Sequence, residues 1–175
     1  MAKTKDAKDT IKEMKVIQEL QKNSKVSIEA MAKICGVSRQ KVYRIIKHLE
    51  GNQIIWGYSA IVNESQLGLQ KFLLLLKRSN QPLEKGITDK ITSNGLEPIL
   101  SNLGISVESS YYLHGEYDWE LVFTAKDLRH AIKFSNLLVQ NYPGLIKKMN
   151  LIQILFANRE HNVFNPNRKK LKDFV

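Results

Sequence analysis

Apolar residues recur at helical spacing from near Thr10, where Ile11, Met14, Ile17 and Leu20 fall every third position and Val16 lies four before Leu20. The pattern lapses at Asn23-Ser24, which closes a first helix. Ser27 can cap a second helix running through Cys35, Gly36 supplies the turn, and Ser38 can cap a third that runs to about Glu50. Gly51-Asn52 ends this group. Ile54 to Val62 then reads as an extended, β-prone segment leading into Asn63-Glu64-Ser65, a polar linker.

From Leu69 the period changes. Gln70 to Lys77 (QKFLLLLK) reads as a strand, and Leu83 to Leu103 as helix interrupted at Gly95 and Pro98. Val107 to His114 and Trp119 to Thr124 read as strands joined by Gly115-Glu116-Tyr117-Asp118. A helix follows from about Asp127 to Tyr142, with Leu128, Ala131, Ile132, Leu138 and Val139 on one face and Pro143-Gly144 stopping it. A last strand spans about Lys148 to Ala157. The order β-α-β-β-α-β is that of the ferredoxin-like split βαβ unit. The expected class is therefore α+β: a helix-turn-helix, winged-helix-like domain over residues 1–62, a βαββαβ domain over 63–158, and a basic tail over 159–175.

A four-stranded sheet covered by helices on one side should alternate apolar with polar residues. FLLLL at 72–76, ELVF at 120–123 and LIQILF at 151–156 instead put apolar side chains on both faces. An uncovered face of that kind is a large exposed patch, so the sheet is expected to pack against a second copy, most simply as a twofold dimer.

The stretch SIEAMAKICGVSRQKVYRIIKHL, Ser27 to Leu49, carries the most specific pattern. A helix-turn-helix must bury a small triangular core between short helices while leaving one face of the second helix open to a DNA groove. Counting Ile28 as first, apolar residues fall fourth, eighth, tenth, fifteenth and eighteenth (Met31, Cys35, Val37, Val42, Ile45). Ala32 stands fifth, where only a small side chain permits close approach, and Gly36 ninth, where the turn favours positive φ. The outward face then carries Arg39, Gln40, Tyr43, Arg44 and Lys47. Arg and Gln can bond bidentately to base edges, while Lys and Arg neutralise phosphates. Lys41 and the amide ends near Ser38 can meet the DNA backbone.

Charge placement changes the weight of this reading, because a run of cations is by itself only a solvated face. The net charge is +10, and it is concentrated at the ends: the surplus is +6 over residues 1–62, +1 over 63–165 and +3 over 166–175. Double-stranded DNA is the expected partner. A second reading uses the same cations without base recognition: a chromatin-like coat held by Lys3, Lys5, Lys8, Lys12 and Lys15 and by Arg168, Lys169, Lys170 and Lys172.

Other chemistry finds little footing. Cys35 is the single cysteine and reads as a buried thiol, and the four histidines show no zinc-ligand spacing. No metal and no cofactor are expected. The glycines are never closer than six residues, which excludes G-x-G-x-x-G and P-loop cradles. His114, Glu116, Asp118 and Glu120 are close enough for acid/base work but are explained as a solvated turn and strand edge. No run approaches the roughly 20 apolar residues of a membrane span, and the first ten residues lack a secretion signal's apolar core. A cytoplasmic protein with no membrane partner is expected.

Val16 to Gly68, including the I-x-G-Y segment at Ile55 to Tyr58, resembles the DNA-binding domain and hinge of Lrp/AsnC transcription regulators. The second half is similar to their βαββαβ effector (RAM) domain, with HGEYD at His114 to Asp118 matching a G-x-x-D turn and YPGL at Tyr142 to Leu145 a strand lead-in. The resemblance covers about Val16 to Asn158. It implies homodimers formed through the C-terminal sheet, with tetramers or octamers as further assemblies, that bind palindromic operators and respond to small molecules, typically amino acids. Carried over, Gly115 offers backbone groups and Asp118 pairs with an effector's amino group. From the residues alone, Gly115 to Asp118 is equally a plain hairpin loop. One branch resembling the family decarboxylates tetrapyrroles, which leaves an enzyme as a further alternative. The chain departs from the pattern in a longer Arg78–Ser106 segment, in Gln53 where many members have glycine, and in its basic tail.

Overall fold

The computed structural model describes residues 2–80, 82, 85–93 and 97–175. Two compact units divide the chain: Met1–Ile61 with Ala157–Asp173 and Val175, and Val62–Phe156 with Phe174. Among the described residues no helix is long and apolar enough to cross a membrane.

The first unit begins with helix α1, Ala2–Lys22, followed by α2, Ile28–Cys35, and α3, Arg39–Gly51. Helix α1 starts well before Thr10, and its buried face is not the one its three-residue spacing suggests. Val16 is wholly buried with Ile17 and Leu20 packed beside it, while Ile11 and Met14 lie on the opposite side, 57% and 50% exposed. Val16 joins Met31, Ala32, Cys35, Val42, Ile45 and Leu49 in one cluster. Full burial of a side chain such as Val16, Met31 or Leu49 contributes about 1.5–3 kcal/mol. The thiol of Cys35 is held above its ordinary range, chiefly by that burial.

Caps fix the angle between α2 and α3. Ser27 Oγ accepts from the Ala30 amide at 3.1 Å, and Gly36 ends α2 at φ +65° while the Val37 amide reaches back to the Ala32 carbonyl at 3.0 Å. Ser38 Oγ then accepts from the Lys41 amide at 3.2 Å and starts α3. Beyond α3, Gln53 sits at φ +57°. The Ile54–Val62 segment takes no strand partner among the described residues; Trp56 is 94% exposed, and Tyr58 donates to a Glu50 carboxylate oxygen at 3.1 Å.

The basic segment after Asn158 is built rather than loose. Two-residue strands Arg159–Glu160 and Val163–Phe164 pair, and a 3₁₀ turn spans Arg168–Asp173. The guanidinium carbons of Arg159 and Arg168 lie 4.0 and 5.1 Å from the Phe164 ring centroid, a cation–π arrangement.

The second unit is a four-stranded antiparallel sheet. A 3₁₀ turn, Glu64–Leu67, precedes β1, Gln70–Arg78; helices α4, Lys85–Thr92, and α5, Glu97–Asn102, lead to β2, Ser106–Tyr112. β3, Trp119–Ala125, α6, Leu128–Asn141, and β4, Ile146–Ile154, complete it. The strand order β2-β3-β1-β4 has β3 filling the gap between β1 and β2 and antiparallel to both, as the ferredoxin-like arrangement requires. The interruption expected at Gly95 lies outside the described residues, but Pro98 does not break a helix: it stands in the first turn of α5, where its missing N–H has no intrahelical partner to lose. β4 ends at Ile154, three residues short of the expected Ala157.

Alternation decides the two faces of the sheet. Phe72, Leu74, Leu76, Leu121 and Phe123 point to the helix side, where Ala131, Phe134, Leu138 and Tyr142 meet them. Phe123 and Phe134 pack edge to face at 4.7 Å between centroids. Only Ala131 and Leu138 of the expected α6 face are buried; Leu128, Ile132 and Val139 lie on its outer side, 43–47% exposed, because Phe134 turns the helix towards the sheet. The other face carries Leu73 opposite Val122 and Ile152, and none of the three belongs to the helix-side core. At its edge Lys71 is buried, with Nζ 2.6 Å from Glu64 and 2.9 Å from Glu108.

Candidate nucleic-acid interface

Helix α3 presents two unlike sides. Val42, Ile45 and Leu49 are buried, whereas Arg39, Gln40, Tyr43, Arg44 and Lys47 are all exposed. The 3.6-residue period produces this: positions 42, 45 and 49 share one face, and 40, 43, 44 and 47 the opposite one. The core locks the helix so that its polar side must face outward, with no freedom to roll.

The exposed side chains are not equally available. Among the described residues, Arg39, Gln40 and Arg44 make no side-chain hydrogen bond or ion pair. Lys47 is held by Glu50 at 3.0 Å and lies 6.0 Å from the Tyr43 ring centroid. The Glu50 hydrogen bond raises the Lys47 ammonium above its ordinary range, and the reciprocal bond lowers the Glu50 carboxyl. Both stay charged at neutral pH. Lys41 is half-buried and its Nζ pairs with Asp9 of α1 at 3.2 Å. Ser38 spends its lone pair on the cap, which leaves its hydroxyl proton free to donate. Glu50, which restrains both Lys47 and Tyr58, is a participant that sequence reasoning missed; its three-residue spacing from Lys47 is the readable signal.

The turn between β2 and β3 is occupied by its own chain. Asp118 Oδ2 accepts from the Arg78 amide at 2.8 Å and lies 3.3 Å from Lys77 Nζ, while Lys77 Nζ also donates to the Gly115 carbonyl at 3.3 Å. The Arg78 amide, more than any other group, lowers the Asp118 carboxyl below its ordinary range. Gly115 is exposed and at unexceptional φ. Lys148 pairs with Glu116 at 3.4 Å beside the Tyr117 ring, so two cations flank this turn.

Residues 9–55 match the family described as winged helix-turn-helix DNA-binding. The chain is 28% identical over 146 residues to the uncharacterized HTH-type transcriptional regulator PH0045 of Pyrococcus horikoshii, covering 82% of this chain and 88% of that one. Similar solved structures include PH0061 (TM-score 0.69, 22% identity, 87% of this chain and 96% of that one) and LrpC of Bacillus subtilis (0.58, 18%, 83% and 94%). A third is the Neisseria meningitidis regulator NMB0573 in complex with L-Met (0.60, 17%, 90% and 97%). The similar structures are mostly Lrp/AsnC regulators, and the chain has their architecture: a helix-turn-helix domain followed by a ferredoxin-like α+β domain.

Proposed function

We propose that this chain is a transcription regulator that binds double-stranded DNA sequence-specifically through α3. One observation carries this reading. Arg39, Gln40 and Arg44, side chains able to read base edges, stand exposed and, among the described residues, unpaired on a capped helix whose opposite face is buried. The amides of Arg39 and Gln40 begin that helix and suit a phosphate. Ser38 supports this with its free hydroxyl proton, whereas Lys41 reaches phosphate only by leaving Asp9.

Residues 1–62 would then bind the operator, 63–158 would hold two copies together, and 159–175 would add cations. Homodimerisation through the sheet is supported by the adjacency of Leu73, Val122 and Ile152 on the face that the helices leave open. A twofold dimer presents two α3 helices and calls for an inverted-repeat operator. For an amino-acid effector, support comes from the Neisseria regulator's complex with L-Met, and Gly115 and Asp118 are the residues we assign to it in this chain. In this chain an incoming ammonium would share the Asp118 carboxylate with Lys77.

Selection of bound duplexes from a random pool separates this reading from a low-specificity coat. An enriched inverted repeat is expected, and a pool without consensus would overturn the sequence-specific reading.

A further inference from the structure

The segment after Asn158 carries five cations against two carboxylates, and its backbone is ordered around them. The hairpin sets Arg159 directly opposite Phe164 and Glu160 opposite Val163, so by strand alternation the guanidinium and the ring share one face and the Glu160 side chain takes the other. Asn165 ties this hairpin to the turn that follows. Its amide N–H donates to the Asn158 carbonyl at 3.1 Å, its Nδ2 to the Ala157 carbonyl at 2.8 Å, and its own carbonyl accepts from the Arg168 amide at 3.1 Å. That last bond brings Arg168 back to the ring that Arg159 already covers.

Two guanidiniums are thereby gathered on one aromatic side chain, and both are exposed. Bringing two cations to one ring is opposed by their mutual repulsion, which a bound anion relieves. Among the described residues neither guanidinium makes an ion pair or a hydrogen bond, so their N–H groups are uncommitted. Stacking covers a guanidinium's flat face and leaves its N–H edge, which takes a phosphate bidentately. A side chain already ordered by a ring also loses less rotamer freedom on docking than a free lysine does. Lys169 and Lys170 are exposed as well, but no aromatic contact among the described residues holds them. Although the segment follows β4 of the sheet, it belongs to the same compact unit as α3.

We propose that Arg159 and Arg168, ordered on Phe164, form a clamp for backbone phosphates of the duplex that α3 reads, adding affinity without sequence preference. This rests on the chain's being a duplex-binding regulator and gives its tail a definite pair of contacts.

The duplex returned by random-pool selection is titrated with the full chain by fluorescence anisotropy across a salt series. Arg159→Gln combined with Arg168→Gln should lower the slope of log K against log salt by about 1.8, two phosphates at about 0.9 each, and weaken binding at least tenfold at low salt with the selected motif unchanged. Lys169→Gln combined with Lys170→Gln removes the same charge and should lower the slope by less than half as much. Phe164→Leu keeps both arginines and should weaken binding by about two- to fivefold, the worth of an exposed cation–π contact. An unchanged slope in the arginine pair, an equal loss from the lysine pair, or parent affinity in Phe164→Leu would overturn the clamp, while an intact inverted repeat leaves base reading by α3 standing. A parent pool without consensus would instead fail that base reading, and the arginine slope, measured on any duplex, still decides the clamp.

Discussion

Nζ of Lys41 lies 3.2 Å from a carboxylate oxygen of Asp9, so a cation of α3 is held by α1 instead of standing free for phosphate. Both side chains are about 40% exposed, and a pair this wet is worth only about 0.2–1 kcal/mol. Asp9→Asn should therefore leave stability nearly unchanged while releasing Lys41. Duplex affinity is expected to rise for all sequences alike, and the slope of log K against log salt to steepen by about 0.9. Fluorescence anisotropy across a salt series checks this; an unchanged slope would mean that Lys41 never reaches the backbone.

The backbone after α3 carries an avoidable strain. Gln53 at φ +57° adopts a left-handed conformation that disfavours side chains with a Cβ. Gln53→Gly should stabilise the first unit by on the order of 1 kcal/mol or less, since glycine's greater freedom when unfolded offsets part of the relief. The urea midpoint measures it, and a fall in the midpoint would contradict the expectation.

The open face of the sheet admits a direct test. Val122→Lys places a charge between Leu73 and its neighbours without entering the helix-side core. The parent is expected to sediment as a dimer, and the variant to keep the parent's circular dichroism spectrum, to sediment as a monomer and to lose at least tenfold in affinity for an inverted-repeat duplex. A variant that remains dimeric would place the interface elsewhere.

Acid should act on the turn beside β3. Asp118 has its carboxyl lowered in the folded state, mainly by the Arg78 amide and then by Lys77. Its contribution is thus complete above the ordinary aspartate range, near about 3.9, and is lost as pH falls through the lower folded value. Between pH 5 and 2, urea midpoints of the parent should fall more steeply than those of Asp118→Asn. Parallel curves would mean that the carboxylate contributes nothing.

The helix-turn-helix was legible because its requirements are local: a cap, a turn glycine and apolar residues within a span of some twenty positions. Met31, Ala32, Gly36, Val42 and Ile45 are where that pattern puts them. The strand order was legible too, from period and turn residues. What escaped is decided by tertiary contacts. A strict three-residue spacing drifts around a 3.6-residue turn, so Ile11 and Met14 leave the face on which Val16, Ile17 and Leu20 pack. In α6, Phe134 outweighs three smaller apolar residues because its ring reaches Phe123. Lys71 of β1 finds Glu64 and Glu108 from two separate elements. Nothing in the spacing of those residues announces that they meet.

Base preference tests the role of α3 most directly. Random-pool selection is run in parallel on the parent chain and on Arg44→Ala, a substitution on the exposed side that leaves Val42 and Ile45 in place. The parent should return an inverted repeat, and Arg44→Ala should relax it at matching positions in both half-sites, with about 1–3 kcal/mol less discrimination at each. An identical motif from both proteins, at uniformly lower affinity or none lost, would contradict base reading by this helix.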